Sequence, residues 1–274
     1  MIKDMDVRCF YSPSLSIAIT GGTGFIGRHF QQLSNDFTRI NFGNLPPHTC
    51  IIHCAAKVEY NHTCLTENAA IDYFVFEQCK SKNHSILYCS TNNVYPMAQQ
   101  CGTHTATTAT EPYSLSKING EILLRDSYRI PYGIIRIGDV FGKGQKHGNF
   151  FKALETSIAQ QKPISLYGAG LKIRNYIWVN ELTQSMLYLA QKLQRGDLTA
   201  FTVNAAYHET PTIGDIVNHV HAKTNLPIQL VTIDNDQSHK DLRTLDTREL
   251  FGYSFHYQNF WNALDLYIDQ CQDK

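Results

Sequence analysis

The sequence lacks three features that would assign it to a specialised class of protein. It has no run of about 18 apolar residues, so it predicts no membrane-spanning helix. It has no excess of positive charge for binding nucleic acid, because 24 Lys and Arg residues balance 24 Asp and Glu residues. The first 14 residues contain no continuous apolar segment and predict no secretory signal. We therefore expect a cytoplasmic protein that binds neither membranes nor nucleic acid.

The sequence also lacks any Cys-x-x-Cys pair, although it contains eight cysteines. In a long chain without a secretory signal, cysteines usually stay reduced. Cys50 and Cys54 flank an apolar run typical of a strand, in which successive side chains point to opposite faces and do not converge. His62 and Cys64 have a spacing closer to that of metal ligands, but no second pair accompanies them. We predict free thiols and no metal site.

What the sequence does contain is enough apolar material for a large core, since 43% of its 274 residues are hydrophobic and only 18% are charged. Short apolar runs alternate with helix-like segments through the first half, a pattern typical of an α/β protein whose parallel strands are covered by helices on both faces. The predicted strands are 16–20, 39–42, 50–54, 86–89 and 133–137, and the predicted helices are 24–33, 67–81, 114–126, 150–160 and 181–193. After about residue 142 the alternation loosens, and a second, smaller lobe is predicted to begin.

A glycine-rich segment, TGGTGFIG, follows the first predicted strand and opens the first predicted helix. Gly21 permits a tight turn, Gly24 lets a pyrophosphate approach the backbone, and Gly27 lets the helix pack closely on the sheet. The helix N-terminus offers free N–H groups and a positive dipole end to phosphates, so the segment predicts dinucleotide binding. The residues of this segment predicted to bind the cofactor are Gly21, Gly24, Phe25, Ile26, Gly27 and Arg28.

This segment resembles the fingerprint of the extended short-chain dehydrogenases/reductases, the NAD-dependent epimerase/dehydratase family that acts on nucleotide sugars. The resemblance extends from Ile17 to about Tyr267 and is most specific in the first half. The sequence His-Cys-Ala-Ala that contains Ala55 and Ala56 resembles the strand end beneath the family's cofactor, and Asn68 lies where the family has a cofactor-contacting Asn. By this resemblance, all three residues bind the cofactor.

The resemblance implies a Rossmann-type doubly wound parallel sheet with a smaller C-terminal substrate-binding lobe. We expect the dinucleotide-binding domain, including the catalytic residues, to occupy residues 15–142. Residues 143–274 are expected to form mainly the substrate-binding lobe, interleaved with the first domain.

Tyr113 and Lys117 are four residues apart, which places both on one face of a helix. A phenol has a pKa of about 10, and a neighbouring ammonium stabilises the phenolate, so we expect Lys117 to lower the pKa of Tyr113 for acid–base catalysis. The same ammonium can reach the hydroxyls of a nicotinamide ribose, so both residues are also predicted to bind the cofactor. Taken alone, such a pair would be read as an exposed helix face; its distance from the glycine segment matches the family.

Polar residues close the predicted strand 86–89 at its carboxyl end, where open α/β sheets bind their ligands. The segment 89–95 resembles the family's S-S/T-x-x-V-Y pattern and gives Thr91 the position of the catalytic Ser or Thr. Thr91 and Asn92 are accordingly predicted to bind substrate. The alternative is that Ser90 and Thr91 only satisfy backbone groups at the strand end. The 4,6-dehydratases of the family carry an Asp-Glu pair where this chain has Asn92 and Asn93, so dehydration is not expected.

Two segments of the second half resemble substrate-binding motifs of the family. Residues 136–142 resemble R-x-x-N-V-Y-G, with Asp139 in place of the usual Asn. A carboxylate there would repel phosphates unless it is paired or points away. Residues 167–179 resemble G-x-G-x-x-R-D-[FY]-[IV]-x-V, with Asn175 for the Asp, which makes Arg174 a clamp for nucleotide phosphates. The alternative for Arg174 is a surface residue on a turn.

The family often has a second phosphate-binding Arg before a C-terminal segment that residues 244–253 resemble. The sequence does not place this residue. Lys240 and Arg243 are the candidates.

The second predicted strand ends at residues 41–44 without an acidic residue. Proteins that bind NAD usually place a carboxylate there for the adenosine ribose, whereas those that bind NADP supply positive charge, and Arg28 and Arg39 are available for it. The chain also reaches Cys50 almost directly, without the helix and strand that the family inserts. We expect an open site that prefers NADP(H) over NAD(H).

These features predict an NAD(P)-dependent oxidoreductase that reduces a 4-keto nucleotide sugar. A nucleotide-sugar 4-epimerase that retains its NAD is the alternative. A non-catalytic NAD(P)-binding regulator is a third reading, and the joint presence of Thr91, Tyr113 and Lys117 speaks against it. By analogy with the family, a homodimer is expected to form through the predicted helices 67–81 and 114–126, with Phe74, Phe76, Ile122 and Leu123 as apolar positions.

Overall fold

The computed structural model describes residues 8–59, 61–126, 129–145, 149–234, 236, 243–248 and 257–273. Its strands are β1 (Arg8–Ser12), β2 (Ile17–Thr20), β3 (Thr38–Asn41), β4 (Cys50–His53), β5 (Ser85–Thr91), β6 (Tyr132–Ile137), β7 (Asp139–Phe141), β8 (Ile164–Tyr167), β9 (Tyr176–Trp178), β10 (Ala200–Ala205) and β11 (Ile228–Val231). Its helices are α1 (Phe25–Leu33), α2 (His62–Ser81), α3 (Pro112–Asp126), α4 (Phe150–Ala159), α5 (Val179–Gln194), α6 (Ile213–Thr224) and α7 (Phe260–Gln272). None of these described helices is long and apolar enough to cross a membrane.

Every predicted strand and helix is present, and the largest shift is the start of α2, at His62 instead of residue 67. Asn61 explains the earlier start, because its side chain accepts a hydrogen bond from the Cys64 N–H at 3.0 Å and so caps the helix. The strands that the sequence analysis did not predict are β1 and all those after β6, together with α6 and α7.

The central sheet has seven strands in the order β10-β6-β5-β4-β2-β1-β3. Four neighbouring strands are parallel, in a register that sets Ile17 opposite Cys50, Cys50 opposite Ser85, and Ile86 opposite Tyr132. β2, β4 and β5 are buried along their whole length, as expected when helices cover both faces of a parallel sheet. The predicted Rossmann-type fold is confirmed. The carboxyl ends of these strands share one edge of the sheet, where open α/β proteins bind ligands.

The other side of β2 departs from the expected arrangement. β1 lies between β2 and β3 and is antiparallel to both, with Cys9 opposite Thr20 and opposite Ile40. Four residues join β1 to β2, and so short a connection permits only antiparallel pairing. β3 therefore lies one strand further from β2 than the second strand of the fold normally does. The direct path from β3 to β4 is confirmed, since one 3₁₀ turn, Phe42–Asn44, follows β3.

The chain divides into two compact units that interleave along the sequence. The first comprises Met1–Pro96, Ala106–Ile137 and Asn180–Val203, and the second comprises Met97–Thr105, Gly138–Val179 and Asn204–Lys274. Nearly all of α5 and most of β10 belong to the first unit, because β10 extends its sheet beside β6. Which ranges bind cofactor and which bind substrate, predicted as 15–142 and 143–274, stays a prediction.

The two units have different cores. In the first, aliphatic and aromatic side chains from the sheet and from α2 form a buried cluster, with Ala18, Ile51, Val75 and Tyr88 among its members. The second has an aromatic core, in which the ring of Phe141 stacks on that of Phe151 at 4.5 Å. The further aromatic rings packed in this core are Tyr176, Tyr207, Phe260 and Tyr267.

Candidate active site

The loop between β2 and α1 has the geometry of a phosphate-binding loop. Gly21 has φ +69°, and a Cβ there would lie 2.7 Å from the Ala55 nitrogen. A Cβ at Gly27 would lie 2.2 Å from the Gly21 carbonyl oxygen, so close packing of α1 requires glycine. No described side chain caps α1 at Gly24, which leaves its first N–H groups for an anion. The loop therefore fits the pyrophosphate of a dinucleotide.

The predicted cofactor-binding residues after β4 lie in two different environments. Ala55 and Ala56 are half-buried, and the Ala55 backbone touches the glycine loop. Asn68 is 1% exposed, and its side chain accepts a hydrogen bond from the Lys57 N–H at 2.8 Å and donates to the Lys57 carbonyl and to Ser116 at 3.0 Å. Asn68 thus holds the segment that follows Ala55 and Ala56 and ties it to α3.

Tyr113 and Lys117 lie on α3 within the first unit, and Lys117 is only 2% exposed. Desolvation raises the pKa of Tyr113 above its usual value of 10, although the Lys117 ammonium lowers it in part. The expected effect of Lys117 is present, but the cost of burying a phenolate exceeds it, so the pKa of Tyr113 is raised overall. At neutral pH the Tyr113 phenol is therefore protonated and suited to donating a proton.

Thr91 ends β5 and also caps the 3₁₀ turn Asn92–Val94 that follows it. Its hydroxyl oxygen accepts a hydrogen bond from the Asn93 N–H at 3.2 Å, and its proton is donated to the Asn92 side-chain oxygen at 3.4 Å. The structural role considered for Thr91 is thus present. The contact to Asn92 is long, and a ligand oxygen must replace it to receive the Thr91 proton. Asn92 is 2% exposed.

A chain of buried polar groups lies behind this edge of the sheet. Thr20 Oγ1 is 2.6 Å from His53 Nδ1, and His53 Nε2 is 3.0 Å from Asp72. The Tyr88 hydroxyl donates to the other Asp72 oxygen at 2.6 Å. Burial lowers the pKa of His53, although Asp72 opposes the shift. A neutral His53 that accepts from Thr20 and donates to Asp72 satisfies every one of these groups.

The chain of buried polar groups also contacts α3. The Lys117 ammonium lies 4.6 Å from the centre of the Tyr88 ring, close enough for a cation–π interaction. α3 can lie this close to Tyr88 because residue 120 is a glycine: a Cβ on Gly120 would lie 2.2 Å from the Tyr88 hydroxyl oxygen. Asp72, Tyr88 and Gly120 were missed in the sequence. The sequence offered one signal for Asp72, because it is a carboxylate in a predicted helix, four residues after Asn68.

A second buried cluster anchors α3 to the sheet. Glu121 accepts hydrogen bonds from Ser90 at 2.6 Å and from Arg136 at 2.6 and 3.0 Å. Arg136 also donates to the Tyr95 hydroxyl at 2.8 Å. Sequence reasoning missed Glu121, although Tyr113, Lys117 and Glu121 recur every four residues and hence share one helix face.

The second unit contains the predicted phosphate clamp. Arg174 is 12% exposed and its Nε lies 3.5 Å from an Asp139 carboxylate oxygen, so Asp139 is paired. Asn175 is fully buried and links the Tyr207 carbonyl to the Leu245 N–H, an architectural role. Of the candidates for a second cation, Arg243 is 6% exposed, and Lys240 lies outside the described residues.

A cavity of about 490 Å³ opens within the second unit, between α4 and β8. Phe150, Tyr167 and the polar side chains of Asn149, Lys152 and Ser165 contribute to its lining. Its volume and its mixture of rings and polar groups are typical of small-molecule sites. Sequence reasoning missed this cavity, because its residues follow no motif.

Comparison with known sequences identifies relatives of the first and middle parts of the chain. The sequence profile of the NAD-dependent epimerase/dehydratase family matches residues 45–205. An uncharacterised UDP-glucose epimerase of Bacillus subtilis (strain 168) is 27% identical over 151 residues, which are 53% of this chain and 46% of that protein. The chain thus spans about half the length of this curated relative.

Comparison with solved structures shows the same fold. A UDP-glucuronic acid 4-epimerase from Bacillus cereus, in complex with UDP-glucuronic acid and NAD, has a TM-score of 0.77 at 16% identity and covers 93% of this chain and 98% of its own. RMD from Pseudomonas aeruginosa, complexed with NADPH, has a TM-score of 0.76 at 16% identity with the same coverage. The profile match over more than half of the chain and the shared fold show that the protein belongs to the NAD-dependent epimerase/dehydratase family.

Proposed function

We propose that the protein is an NAD(P)-dependent oxidoreductase that reduces a 4-keto nucleotide sugar, with Thr91, Tyr113 and Lys117 as its catalytic residues. The observation that carries the proposal is the combination of the glycine loop with Thr91 at the end of β5 and the pair Tyr113 and Lys117 on α3. The Tyr113 phenol, whose pKa desolvation keeps above its usual value, can donate a proton at neutral pH, as a reduction requires.

Each catalytic side chain has one role in this reaction. The nicotinamide, when bound, supplies the hydride for the C4 carbonyl carbon. Tyr113 donates its proton to the oxygen as the alkoxide develops, and the Thr91 hydroxyl orients that oxygen by a hydrogen bond. Lys117 stabilises the phenolate that Tyr113 leaves behind and binds the nicotinamide ribose.

NADP(H) is the proposed cofactor. The residues proposed to bind it are Gly21, Gly24, Phe25, Ile26, Gly27, Arg28, Ala55, Ala56, Asn68, Tyr113 and Lys117. β3 ends without a carboxylate that would repel a 2′-phosphate, and Arg28 lies in α1, directly after the loop. The antiparallel β1 also takes the sheet position next to β2. These features favour an exchangeable NADP(H) over a retained NAD.

Arg174 is proposed to bind the substrate diphosphate through its guanidinium. Its pairing with Asp139 at 3.5 Å keeps the guanidinium in place before the substrate binds. The Asp139 carboxylate then competes with the substrate phosphates for the positive charge of Arg174. The cavity between α4 and β8 is proposed to bind the nucleotide base, since Phe150 and Tyr167 offer aromatic faces for stacking. Asn92 is retained as a candidate for contacts to the sugar.

A homodimer is proposed through the outer faces of α2 and α3. The exposed apolar side chains there are Tyr73, Leu115 and Ile122, each at least 37% exposed. Of the positions expected from the sequence, Ile122 is exposed, whereas Phe76 is buried and Phe74 and Leu123 pack against the core. Sedimentation velocity of wild type and of Ile122→Glu tests this proposal, because a charge at the contact should give monomers.

The nucleotide released from denatured, freshly purified protein tests the reaction class. An empty protein that binds NADPH more tightly than NADH and consumes NADPH with a 4-keto nucleotide sugar supports the reductase. Stoichiometric NAD would overturn it in favour of the 4-epimerase; the Bacillus subtilis relative is named an uncharacterised UDP-glucose epimerase. Cofactor binding without turnover over a panel of keto and hydroxy sugars would support the regulator.

A further inference from the structure

Two cysteines lie side by side at the carboxyl edge of the sheet. Cys54 follows β4 and Cys89 lies in β5, and the parallel register sets the residues just before them, His53 and Tyr88, opposite each other. Their sulfur atoms are 3.4 Å apart. Side chains at opposed positions point to the same face of the sheet, so the two thiols share one environment.

The backbone spacing is compatible with a disulfide bond. Neighbouring strands lie about 4.8 Å apart, within the range of about 4.4–6.8 Å usual for the Cα atoms of a disulfide. From 3.4 Å, the sulfur atoms must come roughly 1.4 Å closer to reach bonding distance. Rotation of the side chains and a small approach of the two strand ends supply this movement.

The thiol pair is also close to the proposed catalytic groups, since Lys117 acts electrostatically on Cys54 and Cys89 acts on Tyr113. Cys54 is half-buried, whereas Cys89 is 6% exposed. The residues that directly follow the two cysteines are Ala55, proposed to bind the cofactor, and Ser90, which precedes the catalytic Thr91. A bond between the sulfurs would therefore shift the segments that carry the active site.

We propose that Cys54 and Cys89 form a modification site, which hydrogen peroxide oxidises to an intramolecular disulfide between the ends of β4 and β5. Cys54, the more exposed residue, attacks one peroxide oxygen and becomes a sulfenic acid, while the other oxygen leaves as water. The Cys89 thiolate then attacks the Cys54 sulfur, forms the S–S bond and releases a second water. The two thiols lose two electrons and two protons, and one peroxide is reduced to two waters.

The environment determines how fast the bond forms and how easily it breaks. The hydrogen bond with Cys89 and desolvation raise the pKa of Cys54 well above its usual value, and only Lys117 opposes the shift. Because the thiolate is the reactive species, oxidation is slow at neutral pH and accelerates as pH rises. A dithiol reduces the bond by thiol–disulfide exchange, so the modification is reversible.

The experiment treats the whole protein with hydrogen peroxide at pH 7 and pH 9, quenches with a thiol-blocking reagent and maps disulfides by mass spectrometry of peptides. The expected product links Cys54 to Cys89, lowers the number of titratable thiols from the eight of the sequence to six, forms faster at pH 9, and disappears with dithiothreitol. Cys54→Ser and Cys89→Ser should each abolish it. The control Cys101→Ser, at a buried cysteine of the second unit, should leave it intact.

The mapping on wild type does not depend on the folding of any variant. Oxidation that leaves both Cys54 and Cys89 as thiols, or that joins either of them to a different cysteine, overturns the proposal. So does direct conversion of Cys54 to a sulfinic acid while Cys89 stays a free thiol, since a sulfenic acid facing a thiol should form the disulfide first.

Discussion

The two sides of the phosphate loop differ in how closely they follow the family. Toward β4 and β5 the strands are parallel, and the residues that the sequence analysis chose lie at their carboxyl ends. Toward β3 an antiparallel strand is inserted, and β3 is the sheet edge. The family profile begins its match at residue 45, between β3 and β4. The side of β4 and β5, which would hold the nicotinamide, keeps the parallel strands and is called the retained side. The side of β1 and β3, which would hold the adenosine, contains the antiparallel strand and is called the rebuilt side.

The rebuilt side still supports the loop. A Cβ at Gly22 would lie 2.1 Å from the Phe10 ring, so β1 packs a side chain directly against the glycines. Asp36 ties the β1–β2 turn to the segment before β3 through the hydroxyls of Ser12 and Ser14. The insertion of β1 thus preserves the shape of the loop while removing the strand end that normally reads the adenosine ribose.

The largest expected effect is at Tyr113, on the retained side. Tyr113→Phe removes the proton donor and should lower kcat for a 4-keto nucleotide sugar by about 10²–10⁴-fold. The Kd for NADPH, measured by fluorescence titration, should change little, because Lys117 and the glycine loop remain. Tyr73→Phe, at an exposed tyrosine of α2, is the control and should keep full activity. Full activity of Tyr113→Phe would remove Tyr113 from the mechanism.

The next largest effect is expected for Asp72, the buried carboxylate behind the retained side. Asp72→Asn leaves His53 and Tyr88 without one of their two acceptor oxygens and should lower the free energy of unfolding by about 1–3 kcal/mol, measured by urea denaturation at pH 7. Asp36→Asn is the matched change on the rebuilt side and should cost less, because that carboxylate is near solvent. Equal losses for the two variants would contradict the comparison.

The difference between the two sides also explains what the sequence could predict. The parallel strands, the glycine loop and the pair Tyr113 and Lys117 follow from local patterns: apolar runs, glycine spacing and residues four apart on a helix. Thr91 was assigned by resemblance to the family. β1 was missed because its pairing depends on a turn of ordinary residues. The chain Thr20–His53–Asp72–Tyr88 was missed because its members come from four separate elements, and only the fold brings them together. The cavity in the second unit was missed for the same reason.

A smaller effect is expected where the glycine loop meets β4. Gly21→Ala places a Cβ against the Ala55 backbone at a residue with φ +69°, which should cost about 1–3 kcal/mol of stability. NADPH affinity should fall as the loop shifts. Gly102→Ala is the control, since a Cβ there meets no atom within 4 Å. Thermal unfolding and NADPH titration of both variants measure the difference, and indistinguishable variants would contradict the geometry.

The retained side should also be sensitive to acid. Burial lowers the pKa of His84 to about 4, and its Nδ1 accepts a hydrogen bond from the Thr49 N–H beside β4. The unfolded chain binds this proton below about pH 6.5, so the stability is full above that pH and falls as pH drops toward 4. We expect a loss of about 2 kcal/mol between pH 7 and pH 5.

Urea denaturation at the two pH values measures this loss. His84→Asn keeps an acceptor without a basic nitrogen and should flatten the dependence on pH. His104→Asn, at an exposed histidine, should leave it unchanged. The same slope in all three proteins would exclude His84 as its source.

The smallest expected effect is a difference in cofactor preference between variants of Arg28 and Arg39, the two arginines predicted to be available for a 2′-phosphate. Arg28 is in α1, directly after the loop, whereas Arg39 is exposed on β3, beyond β1. Loss of one charge-assisted contact to phosphate should weaken NADPH binding by about tenfold, so Arg28→Gln should lower the preference for NADPH over NADH by that factor. Arg39→Gln should leave it unchanged, because the inserted strand separates β3 from the loop. A loss of preference in Arg39→Gln alone would mean that β3 still reads the adenosine ribose despite its displacement.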